Sequence, residues 1–228
     1  ARFGAPAQTM RRAKPHIGTD KLRMVVKNIR REIERMGGEI KFGMQVEDLL
    51  MKRGKLVGLI ADGQPIACDQ LILAVGHSAR DTFEMLMQRQ IPMIAKAFSV
   101  GVRIEHLQSV IDRGLYGNYA GHPALDKGEY QLSYREGELG VYTFCMCPGG
   151  IVVPSASEPQ AVVTNGMSEY ARDGKNANSA LVVSVDQSDF GAGPMDGIAF
   201  QRSLERAAFS AGGGRYAAPG QTAKSFLD

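Results

Sequence analysis

Apolar residues recur at intervals of three and four along residues 19–38, "TDKLRMVVKNIRREIERMGG". This spacing places them on one side of a helix, and most positions between them are charged. Thr19 or Asp20 can cap the start of the helix, and Gly37 with Gly38 can end it. The apolar stripe consists of Leu22, Val25, Val26, Ile29, Ile33 and Met36.

Short apolar runs then predict a β-meander. We expect strands at 39–42, 45–52, 56–60 and 65–68, because "RGK" and "ADGQ" are turn sequences. The next segment, "QLILAVGHSARDTFEMLMQRQ", predicts a strand over 69–75, a glycine turn and a helix. That strand is almost continuously apolar, which is typical of a parallel strand covered on both faces.

The pattern changes after residue 96. Short strands separated by Gly, Pro and Asn predict an antiparallel or mixed sheet, and "PMDGIAFQRSLERAAFSAGGG" predicts a last amphipathic helix. We place a domain boundary near Ile94. The predicted strands are "AKAFSVGVRIEH", "EYQLSY", "GVYTFCM", "GIVVPSAS", "QAVVTNGM" and "SALVVSVD".

Composition narrows the class of protein. The 228 residues are 44% hydrophobic, enough for a core, and the net charge of +3 is too small to indicate nucleic acid or an anionic membrane as partner. No apolar run reaches the roughly 18 residues that span a bilayer. Three cysteines give no disulfide framework, so we expect the cytoplasm. The start, without Met, leads us to expect a central piece of a longer polypeptide.

Glycine-rich and metal-binding motifs are weak. There is no G-x-G-x-x-G or Walker sequence, and "FGAGPMDG" has one spacing too long and a proline that removes an N–H donor. We interpret it as a linker. A zinc site would require a second cysteine pair beside Cys145-Met146-Cys147, and the sequence has only the distant Cys68.

The pair in "VYTFCMCPGG" carries the most reactive chemistry. In a regular strand, Cys145 and Cys147 would face the same side. Their Cα atoms would lie roughly 6–7 Å apart, near the upper limit for a disulfide. Three readings remain open: buried apolar thiols, a redox or nucleophilic pair, or metal ligands. A reactive thiolate needs a cationic neighbour, for which Arg103 and Arg172 are candidates.

Several segments together resemble a known family. "KPHIGTDKLRMVVKNIRREIERMGGEIKF", "QLILAVGHSARDTFEML", "YTFCMCPGG" and "GIAFQRSLERAAF" resemble the FAD-dependent dehydrogenases, largely uncharacterised flavoproteins of the glutathione-reductase-like type, distantly similar to aminoacetone oxidases. "AVGHSARDT" and "YTFCMCPGG" are specific to this family, and the resemblance covers nearly the whole chain.

The resemblance implies an α/β fold in two parts. Residues 1–94 would form a partial Rossmann-like FAD-binding domain with a β-meander, and residues 95–228 a mixed or antiparallel β-rich substrate domain with a C-terminal helix. The cofactor would be FAD, with NAD(P)H as a possible electron partner. The other partners would be a small-molecule substrate and the remaining FAD-domain segments of the parent chain.

The resemblance also implies cofactor-binding residues. Ala74, Val75, Gly76 and His77 correspond to a flavoprotein strand end that passes close to the cofactor, where Gly76 lets the chain turn. The backbone of Val46 corresponds to an amide that reads the adenine edge. Lys14 and Arg80 are further candidates for the cofactor-binding set.

The substrate-side candidates lie after the boundary. Arg103 can bind a carboxylate through two hydrogen bonds, or form an ion pair on its strand. The polar loop around Asn165, Arg172 and Asn176 is a candidate substrate loop. We therefore expect an FAD-dependent oxidoreductase as the parent protein. The alternatives are a non-catalytic binding or interaction domain, and a thiol-based redox module that uses Cys145 and Cys147.

Overall fold

The computed structural model describes residues 1–137 and 139–228. It contains six α-helices and nine strands in antiparallel sheets, within those residues. The helices are α1 (Thr19–Arg35), α2 (Arg80–Gln88), α3 (Gln108–Tyr116), α4 (Gln187–Phe190), α5 (Asp196–Ala211) and α6 (Ala223–Leu227). The strands are β1 (Val46–Lys52), β2 (Lys55–Ala61), β3 (Gln64–Ala67), β4 (Phe98–Leu107), β5 (Ser133–Glu136), β6 (Leu139–Cys147), β7 (Ile151–Ser155), β8 (Val163–Met167) and β9 (Asn176–Val185).

Helix α1 forms where the apolar periodicity predicts it. Its N-cap is Gly18, without a capping side chain, so the predicted cap at Thr19 or Asp20 is wrong. The carboxylate of Asp20 instead accepts a hydrogen bond from the backbone N–H of Tyr170. Of the apolar stripe only Val25 is buried. The exposed members are Leu22, Val26, Ile29, Ile33 and Met36.

The predicted meander is confirmed in the last three of its four strands. β1, β2 and β3 pair antiparallel in that order through tight turns. The predicted strand at 39–42 does not form, and Phe42 is 73% exposed. The sheet thus consists of three strands, one face of which buries Leu49 and Leu59.

The predicted buried strand at 69–75 is wrong for this chain. Residues 68–76 have no strand pairing, and Ile72 is 90% exposed. A parallel strand needs neighbours that supply hydrogen bonds on its edges and cover its faces. Described residues supply neither here, so the apolar segment stays extended on the surface.

The C-terminal part has a four-stranded sheet of order β4-β9-β6-β5. β9 is central and pairs with β4 over its full length, from Phe98 opposite Val185 to Leu107 opposite Asn176. The hairpin β7-β8 forms a separate two-stranded sheet that contacts β4, β6 and β9. The sequence predicts the antiparallel arrangement correctly.

Side chains link the two parts of the chain. Strand pairs in the described residues lie on one side or the other of Ile94. Polar contacts join α2 to α5, and Thr19 and Asp20 at the start of α1 to the segment at 168–170. Gly18 has φ +83°, and a Cβ there would lie 2.2 Å from the backbone N of Tyr170. The domain boundary at residue 94 stays a prediction.

Candidate functional site

Arg103 and Asn178 lie on the same face of the four-stranded sheet. Arg103 is opposite Ala180 on β9, and Cys147 of β6 is opposite Asn178 from the other side. The guanidinium Nη1 of Arg103 donates to Asn178 Oδ1 at 2.8 Å and to the backbone oxygen of Cys145 at 3.3 Å. The antiparallel register therefore brings together residues that are up to 75 positions apart.

A β-bulge separates the two cysteines. Phe144 pairs with Ala180, but the next paired residue is Cys147, opposite Asn178, so β6 has one residue more than β9 over this stretch. Cys145 lies in the bulge at φ +51°. Its side chain is exposed, whereas Cys147 is only 7% exposed. The expectation that both face the same side of a regular strand is therefore wrong, because the bulge breaks the alternation.

Gly166 of β8 closes the cluster from the hairpin. A Cβ on Gly166 would lie 2.4 Å from Arg103 Nη1, 2.4 Å from Asn178 Oδ1 and 2.7 Å from Cys147 Sγ. The three side-chain atoms therefore surround one point where only a hydrogen fits. The neighbouring Asn165 is exposed, and its Oδ1 accepts from the backbone N–H of Gly166.

Neighbouring groups shift the pKa of the buried Cys147 thiol in opposite directions. Burial raises the pKa of Cys147, the nearby Cys145 raises it further, and the Arg103 guanidinium acts in the opposite direction. Arg103 Nε and Asn178 Nδ2 are buried and have no hydrogen-bond partner among the described residues. We refer to Arg103, Cys145, Cys147, Gly166 and Asn178 as the thiol cluster.

The backbone of the predicted substrate loop packs against the turn between β6 and β7. Gly149 has φ +56°, and a Cβ there would lie 2.0 Å from the carbonyl oxygen of Arg172. The Arg172 guanidinium lies 3.6 Å from the Glu129 carboxylate, and Asn176 is half-buried at the start of β9. Asn165 is adjacent to the thiol cluster. Arg172 forms an ion pair with Glu129, which balances its charge.

Residues 74–77 of the predicted cofactor-binding set lie together on the surface. Ala74, Val75, Gly76 and His77 are all exposed. Gly76 has φ +75°, and a Cβ there would meet nothing within 4 Å. The segment therefore leaves the space that a close ligand requires. Val46 is half-buried at the start of β1 and pairs with Ala61.

Lys14 and Arg80, also predicted to bind FAD, already have protein partners. Lys14 Nζ donates to Gln131 Oε1 at 2.8 Å. Arg80 is 1% exposed, and its two terminal nitrogens donate to Glu158 at 2.7 Å and Glu205 at 2.6 Å. This geometry does not favour contact with a pyrophosphate, because two carboxylates already neutralise the guanidinium.

An ionic cluster that the sequence did not predict surrounds Arg80. Arg202 of α5 donates to Glu158 at 2.6 Å and to Glu84 of α2 at 2.9 Å. Hydrogen bonds from Arg202, with a smaller contribution from Arg80, lower the pKa of Glu158 to about 2. Spacing carries no signal for this cluster, because its members come from three separate segments. The ionic cluster consists of Arg80, Glu84, Glu158, Arg202 and Glu205.

A histidine–tyrosine pair was also missed. His106 Nε2 lies 2.7 Å from the phenol oxygen of Tyr130, and His106 Nδ1 is buried without a partner in the described part of the chain. Burial raises the pKa of Tyr130. The alternation of β4 could have shown His106 on the face opposite Arg103, but Tyr130 lies outside any strand.

The glycine-rich "FGAGPMDG" is closed by a side chain. Asp196 Oδ2 accepts from the backbone N–H of Gly193 at 2.8 Å, and it lies 2.3 Å from where a Cβ of Gly191 would be. A carboxylate therefore occupies the side of the turn that would cradle a phosphate. This agrees with the interpretation of the segment as a linker.

Across residues 1–137 and 139–228, no group of three His, Cys, Asp or Glu side chains is arranged to hold a metal ion. Within the same ranges, every helix is too short or too polar to cross a membrane.

Comparison with known proteins gives a family. The chain is 52% identical over 227 residues to an uncharacterized protein of Clostridium beijerinckii (strain ATCC 51743 / NCIMB 8052). The alignment covers 98% of this chain and 43% of that relative, so the chain spans less than half the relative's length. Residues 97–228, which carry the whole thiol cluster, match the model of the family described as "FAD-dependent protein, C-terminal domain-like". The chain therefore belongs to the FAD-dependent protein family, through its C-terminal domain-like region.

Proposed function

We propose that this chain belongs to an FAD-dependent oxidoreductase in which the flavin exchanges a hydride with a small organic molecule and with NAD(P)H. The family match over residues 97–228 is the observation that carries the proposal. FAD supplies the redox chemistry when bound, and the protein contributes binding, orientation and electrostatics.

The exposed turn at Ala74–His77 is the part of the chain that fits FAD. Gly76 adopts a left-handed conformation with open space where a side chain would project. A cofactor can therefore approach the backbone here without a clash. We assign this turn to cofactor contact, and we leave out Lys14 and Arg80 because Gln131, Glu158 and Glu205 occupy their polar atoms.

Uncovered apolar surfaces support a longer polypeptide as the working unit. The stripe of α1 and the segment around Ile72 expose large apolar side chains in residues 19–75. Exposed contiguous apolar surface of this kind marks an interaction site. We propose that further segments of the FAD-binding domain cover it, with the segment at 70–75 pairing as a strand.

The thiol cluster supplies the best substrate-side candidate. Arg103 is a cation on the sheet face, and its Nη1 lies 3.3 Å from the backbone oxygen of Cys145, whose side chain is exposed. A carboxylate-bearing substrate that approached Cys145 would meet this positive charge. Asn165, which precedes Gly166 on β8, adds an exposed polar side chain next to the thiol cluster.

The assignment of the turn is tested with two glycine variants of the full-length protein. Gly76→Ala adds a methyl group where FAD would approach, so we expect weaker binding of FAD in a flavin titration. Gly63→Ala is the matched control, because Gly63 also has a positive φ and open space but lies in the β2–β3 turn. Equal FAD affinities in both variants would remove the turn from the cofactor site.

The redox assignment is tested by anaerobic reduction. NADH or NADPH added to the flavin-loaded full-length protein should bleach the flavin absorbance, and oxygen should restore it. A flavin that stays oxidised with both nicotinamides, yet is reduced by dithionite, would contradict the proposed nicotinamide partner.

A further inference from the structure

The bulge in β6 brings the two thiols closer than a regular strand would. Three residue steps, from Phe144 to Cys147, cover the two steps from Ala180 to Asn178 on β9. At the usual rise per residue, the two steps from Cys145 to Cys147 then advance only roughly 4.5 Å along the strand. The shorter advance brings the two Cα atoms closer than the roughly 6–7 Å of a regular strand, towards the range of about 4.4–6.8 Å that disulfides bridge.

The side-chain contacts agree with this spacing. Cys147 Sγ lies 3.5 Å from the backbone oxygen of Cys145. The nearby Cys145 also contributes to the raised pKa of Cys147. The Cys147 thiol therefore lies against Cys145, although one side chain is exposed and the other is buried.

We propose that Cys145 and Cys147 form a reversible disulfide by exchange with a low-molecular-weight disulfide such as oxidised glutathione. Cys145 is the attacking residue because its side chain is exposed. Cys147 is the resolving residue, since it is buried and its Sγ lies against the backbone of Cys145. This inference concerns thiol chemistry and goes beyond the proposed flavin chemistry.

The exchange proceeds in two balanced steps. The Cys145 thiolate attacks one sulfur of the small disulfide, so a mixed disulfide forms, the original S–S bond breaks and one thiolate leaves. The Cys147 thiolate then attacks the Cys145 sulfur, the protein disulfide forms and the second small thiolate leaves. The two cysteines lose two electrons and two protons, and the small disulfide becomes two thiols.

Burial raises the pKa of Cys147, and Arg103 offsets part of that effect. A thiolate is the reactive form, and burial opposes it. The Arg103 guanidinium counteracts this, because Arg103 Nη1 and Cys147 Sγ flank the same point above Gly166 and so lie no more than about 5 Å apart, where a cation favours the thiolate. Met146, between the two cysteines, is a thioether without an S–H and cannot take part in the exchange; its sulfur accepts a hydrogen bond from the Tyr130 N–H.

The structure argues against the two other readings of this pair. Two buried apolar thiols would both be inaccessible, yet Cys145 is exposed in a left-handed conformation that favours glycine. Metal binding would require further ligands, and the described residues hold no such group around the cysteines.

The test is peptide mass spectrometry of the full-length protein in oxidised glutathione. The wild-type chain should lose two hydrogen atoms in the peptide that holds Cys145 and Cys147, and dithiothreitol should restore them. Cys147→Ser should stop at one glutathionyl group on Cys145, and Cys145→Ser should form neither product at the pair. Cys68→Ser is the matched control and should behave as wild type, because Cys68 lies in the separate meander region.

Two outcomes would overturn the proposal. One is a wild-type chain that accumulates the mixed disulfide on Cys145 without closing. The other is a pair that stays reduced while Cys68 reacts. Because Cys147 is buried, circular dichroism should confirm that Cys147→Ser is folded; if it is not, the wild-type peptide map decides alone. None of these readouts involves flavin, so this proposal and the proposed function can fail separately.

Discussion

The guanidinium of Arg80 donates to the Glu205 carboxylate at 2.6 Å, across 125 residues of sequence. Arg80 is 1% exposed and Glu205 is 8% exposed. The pair therefore fixes the start of α2 against α5 inside the protein. A buried ion pair contributes little when exchanged for apolar groups, but removing one partner strands the other charge.

Arg80→Met should therefore lower the free energy of unfolding by about 3–5 kcal/mol, because Glu205 would remain buried without its cation. Urea denaturation measures this change. Arg89→Met is the control, since Arg89 pairs with Asp48 at the surface, and such pairs contribute at most about 1 kcal/mol. Similar losses of unfolding free energy in both variants would mean that the burial of Arg80 does not increase the cost of removing it.

Glu158 should make the stability depend on pH in acid. Its pKa is about 2 in the folded state, below the ordinary value of 4.5. The unfolded chain therefore binds the proton first, and the stabilisation is present above about pH 4.5 and is lost as the pH falls towards 2. The wild-type free energy of unfolding should fall more steeply over this range than that of Glu158→Gln. Parallel curves would contradict the lowered pKa.

Gly166→Ala should destabilise the thiol cluster. The added methyl group would overlap Arg103, Asn178 and Cys147, and overpacking of this kind costs about 1–3 kcal/mol. Gly140→Ala is the control, because Gly140 also lies in a strand but has nothing within 4 Å of its Cβ position. Thermal unfolding of both variants measures the difference, which should vanish if β8 does not contact the cluster.

Gly18→Ala and Gly37→Ala separate a clash from backbone strain. Both residues have positive φ, but only Gly18 has a backbone atom where the Cβ would be. Each variant should lose about 1–3 kcal/mol from the positive φ that glycine tolerates, and Gly18→Ala should lose a further 1–3 kcal/mol or so from the overlap with Tyr170. Equal unfolding midpoints would show that α1 does not dock against residues 168–170.

Local patterns predicted the elements that depend on nearby residues. The periodicity of α1 and the turns of the meander are encoded within a few positions, and both appear in the structure. The strand at 69–75 was wrong because a parallel strand also needs distant neighbours. The described residues provide no such neighbour, so its apolar composition alone did not decide its structure.

The candidate site was predictable in its residue types and not in its geometry. "YTFCMC" singles out Cys145 and Cys147, but their opposite exposure follows from a bulge that only the pairing with β9 reveals. Arg103 was a candidate because a cation on an apolar strand is unusual. Its contact with Asn178 depends on the register of β4 against β9, which the sequence does not specify.

The flavin content of the full-length protein tests the central claim most directly. The protein should be purified, denatured, and its released flavin identified and counted by chromatography with a fluorescence detector. Membership of the FAD-dependent family predicts one FAD per polypeptide, either as purified or after incubation with FAD and gel filtration. A folded full-length protein that retains no FAD after both treatments would contradict the account.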